Sequence, residues 1–118
     1  MTDDNADMVG AAADVAVPAS VDGQWSVTIH GATGPQETSL ELRTVDGVLG
    51  GTQSALGQVE MIRETSYDST NGEISWINKI KKPLPLTLHF KGVVEGQTIS
   101  GKISTGLMGS FPFTAVKR

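Results

Sequence analysis

The sequence predicts an all-β protein: an eight-stranded antiparallel up-and-down barrel, with a β-sandwich as the alternative. Three observations carry this expectation. From Gly23 onward apolar and polar residues alternate with period two, and no stretch of the body keeps a helical period. The alternating runs are separated by Asp46-Gly47, Asn71-Gly72 and Glu95-Gly96, which suit tight hairpins because such turns need positive φ. The connections are short, which favours a meander over the crossovers of a sandwich. Eight strands with one apolar face must fold over or close, and an eight-stranded barrel encloses room for side chains or one small ligand.

The strands are expected near 24–31, 37–45, 48–55, 58–66, 72–80, 84–94, 97–104 and 110–117. In the first, Trp25, Val27 and Ile29 alternate with Ser26, Thr28 and His30; in the second, Leu40 and Leu42 alternate with Glu41 and Arg43. The fourth is phased on Val59 and Met61, the fifth on Ile74 and Trp76, and the sixth on Leu84, Leu86, Leu88 and Phe90. Ile99, Gly101 and Ile103 phase the seventh, and Phe111 and Phe113 the eighth. Pro85 and Pro112 cannot donate to a ladder, so both are expected at strand beginnings, beyond full pairing.

The last third of the chain resembles the second third. Leu40-Glu41-Leu42, Gly51, Leu56-Gly57, Val59 and Met61 return as Leu88-His89-Phe90, Gly101, Met108-Gly109, Phe111 and Phe113. Trp25 and Trp76 each follow a glycine at the start of a copy. Two four-stranded halves around a pseudo-twofold axis are the expected result.

At 118 residues without cysteine, the chain is one domain with neither disulfides nor thiolate metal sites. Residues 1–22 form an acidic, Ala-rich tail and 23–118 the barrel domain. Five of the thirteen acids precede Gly23 with no base among them, while the remainder holds eight acids and nine bases. A balanced body argues against nucleic acid as a partner, and Lys79, Lys81 and Lys82 read as a solvated strand end. The acidic start has no apolar signal-peptide core, and no run has the roughly 20 apolar residues of a membrane span. The expected location is cytoplasmic, without a membrane partner.

Gly23-Gln24-Trp25 opening the first strand of an eight-strand meander resembles the lipocalin and calycin-type barrels. The resemblance implies that Trp25 plugs one end of the barrel. The closing run Ile99-Ser100-Gly101 with Gly109-Ser110-Phe111-Pro112-Phe113-Thr114 also looks like that of small bacterial domains carried as tails on larger enzymes, which implies no defined activity.

The apolar phase gives an interior lined by Trp25, Met61, Trp76, Phe90, Met108, Phe111 and Phe113 as ligand-binding candidates, with Gly50, Gly51 and Gly101 leaving space. Continuing the phase of Val59 and Met61 turns Arg63, Thr65 and Tyr67 inward, and that of Ile74 and Trp76 turns Asn78 inward. Arg63 can hold a carboxylate or enolate, Tyr67 can move a proton and Asn78 can orient a carbonyl, so these three are the catalytic candidates. If the strand bulges after Met61, Ile62 turns in instead and Arg63 points to water. Glu60 and Glu64 are expected in solvent. His30 and His89 face outward with no third ligand near, so no metal is expected, and no cofactor is implied. Three functions follow: a binder of a small hydrophobic or amphipathic molecule, a cofactor-free cyclase, isomerase or lyase acting on one, or an interaction module with a filled core. The oligomeric state is open.

Overall fold

The computed structural model describes residues 17–31, 33–55, 57–81, 85–106 and 109–118. Among the described residues nine strands, not the expected eight, form one antiparallel sheet. They are β1 (Gly23–Gly31), β2 (Gly34–Val45), β3 (Val48–Ala55), β4 (Gln58–Met61), β5 (Arg63–Tyr67), β6 (Glu73–Ile80), β7 (Leu86–Glu95), β8 (Thr98–Ser104) and β9 (Ser110–Lys117). Their order is β4-β3-β2-β1-β9-β8-β7-β6-β5. The sheet curls into a nearly closed barrel, compatible with the lipocalin-like architecture.

The ninth strand arises at the seam. β4 and β5 are the two ends of the sheet, and a single residue, Ile62, joins them. β4 pairs with β3, whereas β5 pairs with β6, so the expected fourth strand changes partners midway. Ile62 is buried at the change, and its N–H donates to the Gly51 carbonyl of β3 at 3.1 Å. Glu64 then takes φ 49°, and the β5–β6 register shifts between Arg63 and Ser66. This bulge resets the phase, leaving Arg63 and Glu64 exposed and Thr65 and Tyr67 half-buried.

Two hairpins fix the faces of β2, β3 and β4. Asp46 and Gly47 turn with φ 52° and 79° and set Val45 opposite Val48, hence Leu42 opposite Gly51 and Leu40 opposite Gln53. The next turn sets Ala55 opposite Gln58, hence Gln53 opposite Glu60. Cross-strand partners share a face. Inward Leu40 therefore brings Gln53 and Glu60 inward and sends Val59 and Met61 out. Val59 is 66% exposed and Met61 74%, so the phase expected for this strand is inverted.

Aligned positions of the two similar runs consequently do not all correspond. Trp25 and Trp76 are both buried, but Phe113 is buried where its aligned Met61 faces solvent. β9 pairs with β1 over Trp25–Ile29, whereas the corresponding join of the other half is the seam. Pro85 immediately precedes β7. Pro112 lies inside β9, opposite Lys102, but beyond the last β1 pair, so its missing N–H removes no bond to β1.

The core is aromatic at its centre. Trp76 stacks on Phe90 with centroids 4.7 Å apart, and Phe113 meets both rings edge-on at 5.8 and 5.3 Å. Each such contact contributes about 1 kcal/mol beyond area burial. The strand glycines do not open space beside this cluster as expected. A Cβ at Gly51 would lie 1.8 Å from the Glu41 carbonyl, and one at Gly101 would lie 2.1 Å from the Lys91 carbonyl. Neighbouring backbone already fills those positions; Gly50 alone of the three has open space around it.

Residues 17–22 strap one end of the barrel. Val21 is buried, and its carbonyl accepts the Trp25 indole N–H at 2.9 Å. Tyr67 donates its hydroxyl to the Pro18 carbonyl. The Asp22 carboxylate accepts from the Thr44 hydroxyl at 2.7 Å and the Thr44 N–H at 2.9 Å. The end of the expected tail thus belongs to the body, while residues 1–16 lie outside the described residues.

Two outcomes follow. Gly101→Ala should lower stability by about 2 kcal/mol in urea denaturation, since overpacking costs roughly 1–3 kcal/mol, while Gly50→Ala should stay within about 0.5 kcal/mol. The bonds from the Thr44 hydroxyl and then its N–H hold the Asp22 carboxyl below its ordinary 3.8. A depressed folded-state pKa gives stability that is present above 3.8 and is lost as pH falls through the folded value. Denaturation midpoints of Asp22→Asn should therefore fall less steeply than wild type below about pH 4.

Candidate functional site

A polar layer crosses the barrel between the aromatic centre and the end opposite the strap. Thr38, Gln53 and Asn78 are 7%, 2% and 2% exposed, from β2, β3 and β6 respectively. Their faces follow from register: Thr38 pairs with inward Val27, Gln53 with Leu40, and Asn78 with Leu88.

The indole of Trp76 orients the whole layer. Its Nε1–H can only donate, and it lies 3.2 Å from the Gln53 side-chain oxygen, so that atom is Oε1. The same oxygen accepts from Asn78 Nδ2 at 3.0 Å, because an oxygen there would face another oxygen. Gln53 Nε2 is then free to donate to Thr38 Oγ1 at 2.9 Å. These bonds leave Asn78 Oδ1 buried without a hydrogen-bond partner. Such an acceptor costs roughly 1–3 kcal/mol until a donor reaches it.

Glu60 joins the layer from β4. It is the cross-strand partner of Gln53 and therefore faces inward, with its side chain 21% exposed. Lys81, beyond the end of β6, places Nζ 4.0 Å from Glu60 Oε1. At the same end, Ile29, Ile80, Leu86 and Phe111 are half-buried, and the first three pack against the core. Apolar walls above a few convergent polar groups are the usual make-up of a small-molecule site.

The three catalytic candidates are not brought together. Asn78 is inward in the polar layer. Arg63 is exposed on the opposite face of the sheet wall, with Ile77 as its cross-strand partner. Tyr67 pairs with Ile74, four residues back from Asn78 along β6 and so about 13 Å away at strand rise. Tyr67 sits at the strap, where desolvation and then the Asp68 charge raise its pKa above the usual value. Its proton is donated to the Pro18 carbonyl.

Of the ligand-binding candidates, Trp25, Trp76, Phe90 and Phe113 are packed in the core, and Phe111 is half-buried at the end opposite the strap. Met61 is on the outer face, for the register reason given above. Met108 lies outside the described residues. No group of three or more His, Asp or Glu with metal-holding geometry occurs among the described residues.

A groove of about 290 Å³ lies at the strapped end, lined by Val21, Leu49 and Tyr67 with Ser20, Thr44 and Ser69. Two of its donors are already spent, Tyr67 on Pro18 and Thr44 on Asp22. The interior layer is the stronger candidate because it retains an unsatisfied group.

Gln53, Thr38 and Glu60 were not among the expected site residues. Thr38 is in phase with Leu40 and Leu42, so extending that alternation backward finds it. Gln53 and Glu60 need the two hairpin registers counted through.

No family model matches the chain, and no curated protein or solved structure shows significant similarity to it. Among the described residues, no helix is long and apolar enough to cross a membrane.

Gln53→Leu should strip partners from Trp76 Nε1, Asn78 Nδ2 and Thr38 together. A loss of about 3 kcal/mol in urea denaturation is expected at roughly 1–3 kcal/mol per orphaned group. Thr38→Val, which removes one acceptor, should cost about 1 kcal/mol. Equal losses in the two variants would contradict Gln53 as the hub.

Proposed function

We propose that the protein binds one small amphipathic molecule through the barrel end opposite the strap. The observation that carries this reading is Asn78 Oδ1, a buried acceptor left open when the bonds among Trp76, Gln53, Asn78 and Thr38 are made. A ligand donor fills that vacancy. Its apolar part rests on Ile29, Ile80, Leu86 and Phe111, which are half-buried at that end.

The opposite end favours this choice of mouth. There Val21 is a buried stopper held by Trp25. Trp76, Phe90 and Phe113 fill the middle, which limits a ligand to the upper part of the barrel. The ligand proposed is accordingly small, such as a short alkyl or single-ring compound. The catalytic alternative draws no comparable support, because Arg63 and Tyr67 are remote from Asn78.

Isothermal titration against short-chain alcohols, amides and amines tests the reading. At least one should bind, and Asn78→Leu should weaken it by about tenfold, equivalent to about 1.4 kcal/mol. Thr38→Val, which leaves Asn78 Oδ1 in place, should retain most of the affinity. Failure of every compound at millimolar concentration, or unchanged binding by folded Asn78→Leu, would refute it.

A further inference from the structure

We infer that the molecule received at this end carries a primary amine, so that Glu60 selects its charge; this rests on the binding reading above. Glu60 is inward because Gln53 is its cross-strand partner, and Gln53 is inward because Leu40 is its own. Gln53 therefore stands between two acceptors that face the same interior: Asn78 Oδ1, whose amide nitrogen it accepts at 3.0 Å, and the Glu60 carboxylate in the adjacent strand. Trp76 Nε1 and Asn78 Nδ2 both serve Gln53 Oε1, so neither is available to Asn78 Oδ1, which has no partner, and the Lys81 ammonium stands 4.0 Å from the Glu60 carboxylate.

The head groups an amphipath can carry are not equivalent there. A carboxylate brings a second negative charge beside Glu60 and no donor for Asn78. An alcohol supplies one proton, which satisfies Asn78 and leaves the carboxylate uncompensated. An ammonium supplies three donors and a positive charge, enough for both acceptors and for water at the mouth.

Lys81 marks where that charge belongs. Its Nζ stands 4.0 Å from Glu60 Oε1, too far for a hydrogen bond, on a side chain 76% exposed against 21% for Glu60. The lysine is tethered from outside the strand end, so its ammonium stays in water while Glu60 is largely withdrawn from it. A free amine with an apolar tail enters from the mouth and reaches Glu60 from within. Lys81 is then a weak internal competitor for the same carboxylate.

Titration of the whole chain at neutral pH with hexylamine, hexanol and hexanoate separates the outcomes. Hexylamine should bind at least about tenfold more tightly than hexanol, with hexanoate weakest. Glu60→Gln should reduce the hexylamine preference over hexanol to about twofold or less, and Lys81→Ala should tighten hexylamine binding. Added salt should weaken hexylamine binding and leave hexanol unaffected. Hexanol or hexanoate binding as tightly as hexylamine overturns the amine assignment and leaves small-molecule binding standing. A preference unchanged in folded Glu60→Gln also overturns it. Binding of none of the three overturns both readings.

Discussion

The register passed through two hairpins governs this molecule. Asp46-Gly47 fixes Leu40 opposite Gln53, and the turn ending at Gly57 fixes Gln53 opposite Glu60. A shift of one residue in either turn would reverse every side chain of the following strand. A shift in the first would take Gln53 out of the interior, and with it the acceptor shared by Trp76 and Asn78. Met61 and Val59 would enter, giving an apolar wall where the polar layer now stands. Whether this barrel has an all-apolar interior or a polar layer is thus decided by turn length as much as by strand composition.

The seam is the second consequence of the same register. Because Glu60 faces inward, Ile62 does too, and its burial anchors the place where the chain leaves β3 for β6. Its N–H is held by Gly51, whose lack of a Cβ lets the Glu41 carbonyl approach from the other side. The αL residue Glu64 then absorbs the change of direction. A non-glycine residue adopts that conformation at a cost of about 1–2 kcal/mol, offset here by burial of Ile62 and by closure of the apolar interior. The change of partner explains nine strands in place of eight.

Much of the fold was legible because alternation holds along the longer strands, where apolar residues recur on one face. Trp25-Val27, Leu40-Leu42, Ile74-Trp76 and Leu88-Phe90 all lie on the expected side. Alternation failed at Val59 and Met61, where both apolar residues face solvent and the inward positions are Gln58, Glu60 and Ile62. Hydrophobicity is a poor guide in so short an edge strand, where one buried isoleucine outweighs two exposed side chains. Asn78 was legible as an inward polar residue because Ile74 and Trp76 phase it. Its partner Gln53 was hidden in Gly50-Gly51-Thr52-Gln53-Ser54, a run without apolar residues to phase it.

A purely structural account of the polar layer has to explain its asymmetry. If Thr38, Gln53 and Asn78 served only to orient strands, a closed set of bonds would be expected, because a partly satisfied network is less stable than an apolar one. Trp76 could be satisfied by Gln53 alone, and a leucine at position 78 would leave no orphan. The chain instead carries an amide whose donor side is bound and whose acceptor side is open. It also turns a carboxylate inward on the adjacent wall and leaves its counter-charge on an exposed lysine. The opposite end, by contrast, is closed by Val21 and by the bonds of Trp25, Tyr67 and Asp22. The one buried side-chain acceptor left without a partner among the described residues, Asn78 Oδ1, belongs to the layer on the side away from that stopper.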